Sequence, residues 1–294
     1  MRLEDELRSV FSLWYDDSVW FEEQHFTTLH KLVFRAHERD LRAELQLSTA
    51  AINRADAKGR TALAWAAARG DEGNVRTLLE FGADPNISCA TGNSPLLRSV
   101  RAQSPSCIKL LLDHDADVMW KSDLGFTALH YAAYYKDDEA YLLPLLDAGS
   151  RVDEKDNYGW TALAATAEYD HVRSATALVQ RGAAVASRDK NGWTPLLRAV
   201  ASNSHGVLKL LLEAGADYRA VSFRGETVLH FAASKGDCEM LEILAGASLN
   251  DVDIGAMNQE GHKAADVLEV RASRTSQLVN TFSSLVQRLQ DAHA

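Results

Sequence analysis

Cysteine, proline and catalytic signatures are all scarce in this 294-residue sequence. Three cysteines (Cys89, Cys107 and Cys238) stand far apart with no CxxC pair. So odd and sparse a set excludes a disulfide framework and metal-ligand spacing, and it suits a reducing compartment. Prolines number five and no low-complexity run occurs, while 46% hydrophobic and 24% charged residues fit a folded soluble chain. No stretch approaches the roughly 20 apolar residues of a membrane span. The opening MRLEDELRSV lacks the apolar run of a secretory leader. The expected location is therefore cytoplasm or nucleus, with no membrane partner.

A basic excess is missing too. The net charge is −10 and the sequence pI about 5.5, which argues against general binding to a phosphate backbone. No nucleic-acid partner is expected. GxSxG, GxxxxGK[ST], HExxH and a GxGxxG after a strand are all absent, so no catalytic residue, metal or cofactor is assigned. His25, His30 and His37 lie close together in sequence, but His30 belongs to the repeated motif described next and reads as structural. The acidic pairs Asp16/Asp17 and Asp137/Asp138 read as solvated loop charge.

What is abundant is self-similarity. A Thr-x-Leu core recurs at Thr27, Thr61, Ser94, Thr127, Thr161, Thr194 and Thr227, at spacings of 34, 33, 33, 34, 33 and 33 residues. A weaker eighth copy places Lys263 in the threonine position. A glycine stands two residues before the threonine in six copies: Gly59, Gly92, Gly125, Gly159, Gly192 and Gly225. A second segment follows each core with helical leucine spacing, as in VRTLLEFGADPN and LKLLLEAGADY. Gly82, Gly149, Gly182 and Gly215 mark its end, where a left-handed residue is needed.

These residues resemble the ankyrin repeat. TALHYAA and TVLHFAA follow its Thr-Pro-Leu-His-x-Ala signature, and LLLEAGAD follows its second-helix ending. Phrases such as GRTALAWAAARGD also resemble ankyrin proteins of filamentous fungi. The resemblance implies an all-α ankyrin-repeat solenoid of about seven to eight helix-turn-helix repeats with helical end caps. It implies an N-terminal capping helix region over 1–22, a repeat array over 23–273 and a C-terminal amphipathic capping helix over 274–294. Leu3, Leu7, Val10, Phe11 and Trp14 share one helical stripe near the start. Leu278, Val279, Phe282, Leu285, Val286 and Leu289 share another near the end. His130 and His230 match the family's structural histidine.

In the ankyrin fold, the turns and first helices line a concave face. The residue before the threonine and the turn tip belong to it, as do helix positions four, seven and eight after the threonine, which share one side by helical spacing. Those positions hold an aromatic and arginine set: Trp65, Arg69, Arg98, Arg101, Phe126, Tyr131, Tyr134, Tyr135, Tyr158, Trp160, Glu168, Tyr169, Trp193, Arg198, Phe223 and Phe231. Trp, Tyr and Arg are enriched in interface hot spots. Tyr131 and Phe231 also suit partial core packing. The resemblance implies a module binding a protein or peptide partner, acidic or aromatic in character, with Arg98, Arg101 and Arg198 selecting acidic groups. Truncating Trp160 or Trp193 should then weaken binding by on the order of 2 kcal/mol with little change in melting temperature. A small-molecule site or an enzyme of specialised metabolism in the same groove stays open as a second reading, with Glu168 and the tyrosines as its acid/base groups. The chain is expected to be monomeric.

Overall fold

The computed structural model describes residues 25–34, 40–247, 249 and 251–293. The stripe at Leu3–Trp14 lies outside these residues, as does His37. The described residues form sixteen helices and no strand. The chain divides into two compact units, residues 1–123 and 124–294.

The first unit holds α1 (Thr28–Val33), α2 (Leu41–Leu47), α3 (Ala62–Ala68), α4 (Glu72–Glu80), α5 (Pro95–Arg101) and α6 (Pro105–Leu112). Each core threonine or serine starts a first helix by accepting an N–H three residues on, as Thr61 Oγ1 does from Ala64 at 3.1 Å. Small residues keep that helix slim: Ala64, Ala66 and Ala67 are fully buried where α3 packs on α1 and α5. The second helices bring larger side chains to the same core, including Val75, Leu78, Ile108 and Leu111. Asp115, with φ 61°, takes the left-handed place after α6 that a glycine fills in other repeats.

The second unit runs α7 (Ala128–Tyr135), α8 (Glu139–Asp147), α9 (Ala162–Tyr169), α10 (Val172–Gln180), α11 (Pro195–Ala201), α12 (His205–Glu213), α13 (Val228–Lys235), α14 (Cys238–Gly246), α15 (Ala264–Glu269) and α16 (Ser276–His293). First helices stack on first helices (α7 on α9, α9 on α11, α11 on α13, α13 on α15), and second helices stack likewise. The last second helix, α14, is covered by α16, which buries Leu278, Phe282, Leu285 and Leu289.

Two devices fix neighbouring repeats of this unit to one another. In α7 and α13, Thr127 and Thr227 donate their N–H to Nδ1 of His130 and His230, both at 3.2 Å. That leaves Nε2–H to donate to the carbonyls of Trp160 and His262, both at 3.0 Å, in the next repeat. The turn tips form the second device. Asn157 N–H donates to Leu124 O at 3.1 Å, Lys190 to Tyr158 at 3.0 Å, Phe223 to Asn191 at 2.9 Å and Gln259 to Arg224 at 2.8 Å. Close approach of the tips explains Gly192: its φ is 77°, and an added Cβ would lie 2.8 Å from Phe223 N.

Candidate functional site

Five residues before Thr61, Thr161, Thr194, Thr227 and Lys263 stands a short polar side chain that organises the turn. Asp56, Asp156 and Asp189 each accept two backbone N–H groups across the tip, as Asp189 Oδ1 does from Asn191 at 2.8 Å and Trp193 at 2.9 Å. Ser222 and Asn258 do the same in later repeats. The aromatic and arginine set is mounted on this frame, and it divides into a buried part and an exposed part.

In the first unit the set is mostly structural. Trp65 is 4% exposed. Its indole N–H donates to Asp56 Oδ2 at 2.9 Å, Arg60 lies 4.1 Å over its ring, and Phe26 and Phe34 pack edge-on against it. Burial pushes the Asp56 carboxyl up. The Arg60 N–H, the Trp65 indole and the Arg60 charge overcome that and hold it below the usual carboxylate range. Arg69 lies 5.3 Å over Phe34. Arg98 Nη2 donates to Cys89 Sγ at 3.1 Å, and Arg101 is half-buried nearby in sequence. Cys89 and Arg98 stand five before and four after Ser94, the same offsets that Asp189 and Arg198 have from Thr194. Burial alone would raise the Cys89 thiol; the Arg98 charge, the Thr91 hydroxyl and the Arg98 hydrogen bond outweigh it and bring it down to about 7.

In the second unit the set converges. Arg198 is only 6% exposed. Its guanidinium stacks on Trp160 at 3.6 Å, lies 4.9 Å from Trp193, and is paired with Asp189 Oδ2 at 2.7 Å and Glu168 Oε2 at 3.0 Å. Ser202 also donates to Glu168 Oε2 at 3.1 Å. This corrects the expectation that Arg198 selects a partner's acidic group: two carboxylates of the chain already occupy its charge. Trp160 and Trp193, half-buried, serve this cluster, so their truncation should lower stability as well as any binding. Phe231 is buried edge-on against Trp193 at 4.6 Å.

Beside that cluster lies a tyrosine patch. Tyr134 and Tyr169 meet edge to face at 4.6 Å, Tyr134 and Tyr135 at 5.0 Å, and Tyr135 stacks on Tyr131 at 5.8 Å. Phe126 closes the row against Tyr131 at 5.4 Å. Tyr134 and Tyr169 are 40% and 43% exposed, and the tip residues Tyr158 and Phe223 are 55% and 61% exposed. Aromatic rings so exposed need an explanation beyond the fold. Burial, then the Tyr134 hydrogen bond and the Glu168 charge, push the Tyr169 phenol well above its ordinary range, so it stays protonated.

Asp189, Ser202 and Cys89 are the residues that the motif pattern misses. The signal for Asp189 and Cys89 is the recurring short side chain five before the threonine or serine, a row that includes Asp56, Asp156, Ser222 and Asn258, whereas Ser202 stands eight after Thr194 on the first-helix side. One open cleft of the second unit is lined by Leu212, Tyr218 and Leu249, and one of the first unit lies around His25 to Asp56. Among the described residues, no group of three or more His, Cys, Asp or Glu could hold a metal, and no helix is long and apolar enough to cross a membrane.

The family profile for ankyrin repeats in three copies matches residues 75–156, 129–222 and 186–258, and the single-repeat profile matches residues 58–90. The B-cell lymphoma 3 protein homolog of Mus musculus is 28% identical over 212 residues, 69% of this chain and 40% of that protein. This chain spans two fifths or less of the first curated relatives it matches. The crystal structure of the Bcl-3 ankyrin repeat domain superposes with a TM-score of 0.63 at 26% identity, over 77% of this chain and 99% of that one. The human ASB11 ankyrin repeat domain shares the fold, with a TM-score of 0.68 at 23% identity over 78% of this chain and 98% of that one. The chain belongs to the ankyrin repeat family.

Proposed function

We propose that this chain is a protein-interaction module and that its second unit engages a protein or peptide partner through Tyr134, Tyr169, Tyr158 and Phe223. The observation that carries the reading is the exposure of four aromatic side chains on a rigid frame. The backbone beneath them is fixed by the tip ladder, by Asp156 and Asp189, and by the His130 link. Preorganised aromatic anchors lose little entropy on binding, and such residues dominate interface energetics. The family resemblance supports the same reading. Trp160, Trp193, Arg198 and Phe231 then act from beneath the surface, holding the anchors in place, and Trp65, Arg69, Arg98 and Arg101 occupy the equivalent positions of the first unit. The three free cysteines suit work in the cytoplasm or nucleus.

The test is site-specific photocrosslinking in extract of the source cells. A photoreactive phenylalanine analogue replaces Tyr158 or Phe223 in one pair of proteins, and Arg76 or Glu242 in a control pair. A discrete protein adduct from the tip positions, absent from the controls, supports the reading. Equal labelling from all four positions, or none from the tips, overturns it.

A further inference from the structure

We infer that the tyrosine patch on α7 and α9 takes a cationic side chain, lysine or arginine, from a basic segment of the partner, with Glu168 as its countercharge. This deepens the proposed function and rests on it. The charge count carries the argument. Arg198 is a single positive charge held by two carboxylates, Asp189 at 2.7 Å and Glu168 at 3.0 Å, so the cluster beneath the patch carries one net negative charge. Both hydrogen bonds to Glu168 fall on Oε2, and neither uses Oε1. The Glu168 side chain is 32% exposed, and Tyr169 follows it directly on α9. The accessible surface there thus consists of phenol rings beside a carboxylate.

Three charged or titratable groups in the turns after α7 and α9 make contacts of their own. Lys136 donates to the Tyr141 hydroxyl at 3.2 Å. His171, tilted against Tyr169 at 5.8 Å, is bound through Nδ1 to the Ala133 carbonyl at 2.8 Å. Asp170 caps α12 by accepting from Val207 N at 2.8 Å. The Glu168 charge is among the causes that hold the Tyr169 phenol above its ordinary range, so that ring stays protonated and neutral beside the carboxylate. Rings with a negative face beside a carboxylate attract a cation by cation–π and ionic terms together. They repel an acidic group by the same terms.

The experiment titrates acetyl-tetraarginine amide and acetyl-tetraglutamate amide into the full chain at low salt, following ring resonances of isotope-labelled tyrosine in the wild type and the heat of binding in the wild type and every variant. Tetraarginine should shift the Tyr134 and Tyr169 signals saturably, while tetraglutamate leaves them in place. Tyr134→Ala with Tyr169→Ala should weaken tetraarginine about fivefold or more, and Glu168→Gln several-fold. Tyr169→Phe keeps the ring and should bind as the wild type does, and the melting temperature of the double variant is its folding control. Tetraglutamate shifting the patch signals overturns the inference. So does tetraarginine binding of equal strength in the double tyrosine variant, which would trace the attraction to the overall charge of −10. A partner crosslinked at Tyr158 alongside either result leaves the interaction reading standing and removes only the basic preference.

Discussion

Asp156 and Asp189 hold the same place in consecutive repeats but differ in one partner, and that difference sets a stability test. Each carboxylate spends Oδ1 on two backbone N–H groups of its turn. Asp189 Oδ2 then meets Arg198, whereas Asp156 Oδ2 is buried with no hydrogen-bond partner among the described residues. The reason is one residue of sequence: four after the threonine stands Arg198 in one repeat and Ala165 in the other. Removing one partner of a buried ion pair costs about 3–5 kcal/mol. Glu168 keeps half of the Arg198 charge satisfied, so Asp189→Asn should destabilise by about 2–4 kcal/mol. Asp156→Asn keeps the turn bonds and removes an uncompensated charge, so it should change stability by no more than about 1 kcal/mol. Urea unfolding at pH 7, read by tryptophan fluorescence and by far-UV circular dichroism, measures both. At about 2–4 °C per kcal/mol for a unit of this size, only the Asp189 variant should lower the melting temperature clearly. Equal destabilisation of the two variants would refute the assignment of the Arg198 pair as the keystone of this face.

Other outcomes follow from the same contacts. Gly192→Ala should destabilise by about 1–3 kcal/mol, since it combines a positive φ with contact against Phe223. Gly215→Ala, with φ 77° and nothing within 4 Å, should lose only about 1 kcal/mol; matched urea melts compare them. Iodoacetamide labelling of Cys89, followed by mass spectrometry against pH, should show a midpoint near 7 that Arg98→Ala moves upward. Its folded value lies below the ordinary thiol value, so the linked stability is present above the ordinary range and is lost as pH falls through about 7. Leu285→Ala should free α16 from α14 at a loss of about 2–5 kcal/mol, seen as early hydrogen exchange across 276–293.

The repeat was legible because its signals are local: a capping threonine, a turn glycine and a helical leucine pattern each act within a few residues. Thr161, Gly192 and Leu208 occupy the places their motif assigns. Side-chain partners across repeats were less legible. Spacing puts Trp65 and Arg198 on the side that the ankyrin resemblance makes concave, and both are buried, because Asp56 and Asp189 draw their polar atoms inward. Those aspartates were visible as a row but carry no helical period, so their pull on an indole and a guanidinium appears only in three dimensions. The exposed tip residues, Tyr158 and Phe223, were readable because their neighbours in the turn are backbone.

The four tip-to-tip hydrogen bonds of the second unit join one repeat to the next in series, like links rather than like bars of a cage. Tension applied between residues 124 and 259 would therefore load these links in series, each sharing the load with the helices packed beside it, and the weakest junction would part first while its neighbours stayed closed. Stretching this unit should yield stepwise extension in units of one repeat. A partner that grips Tyr158 and Phe223 together would splint two of those links, turning occupancy of the face into mechanical strength.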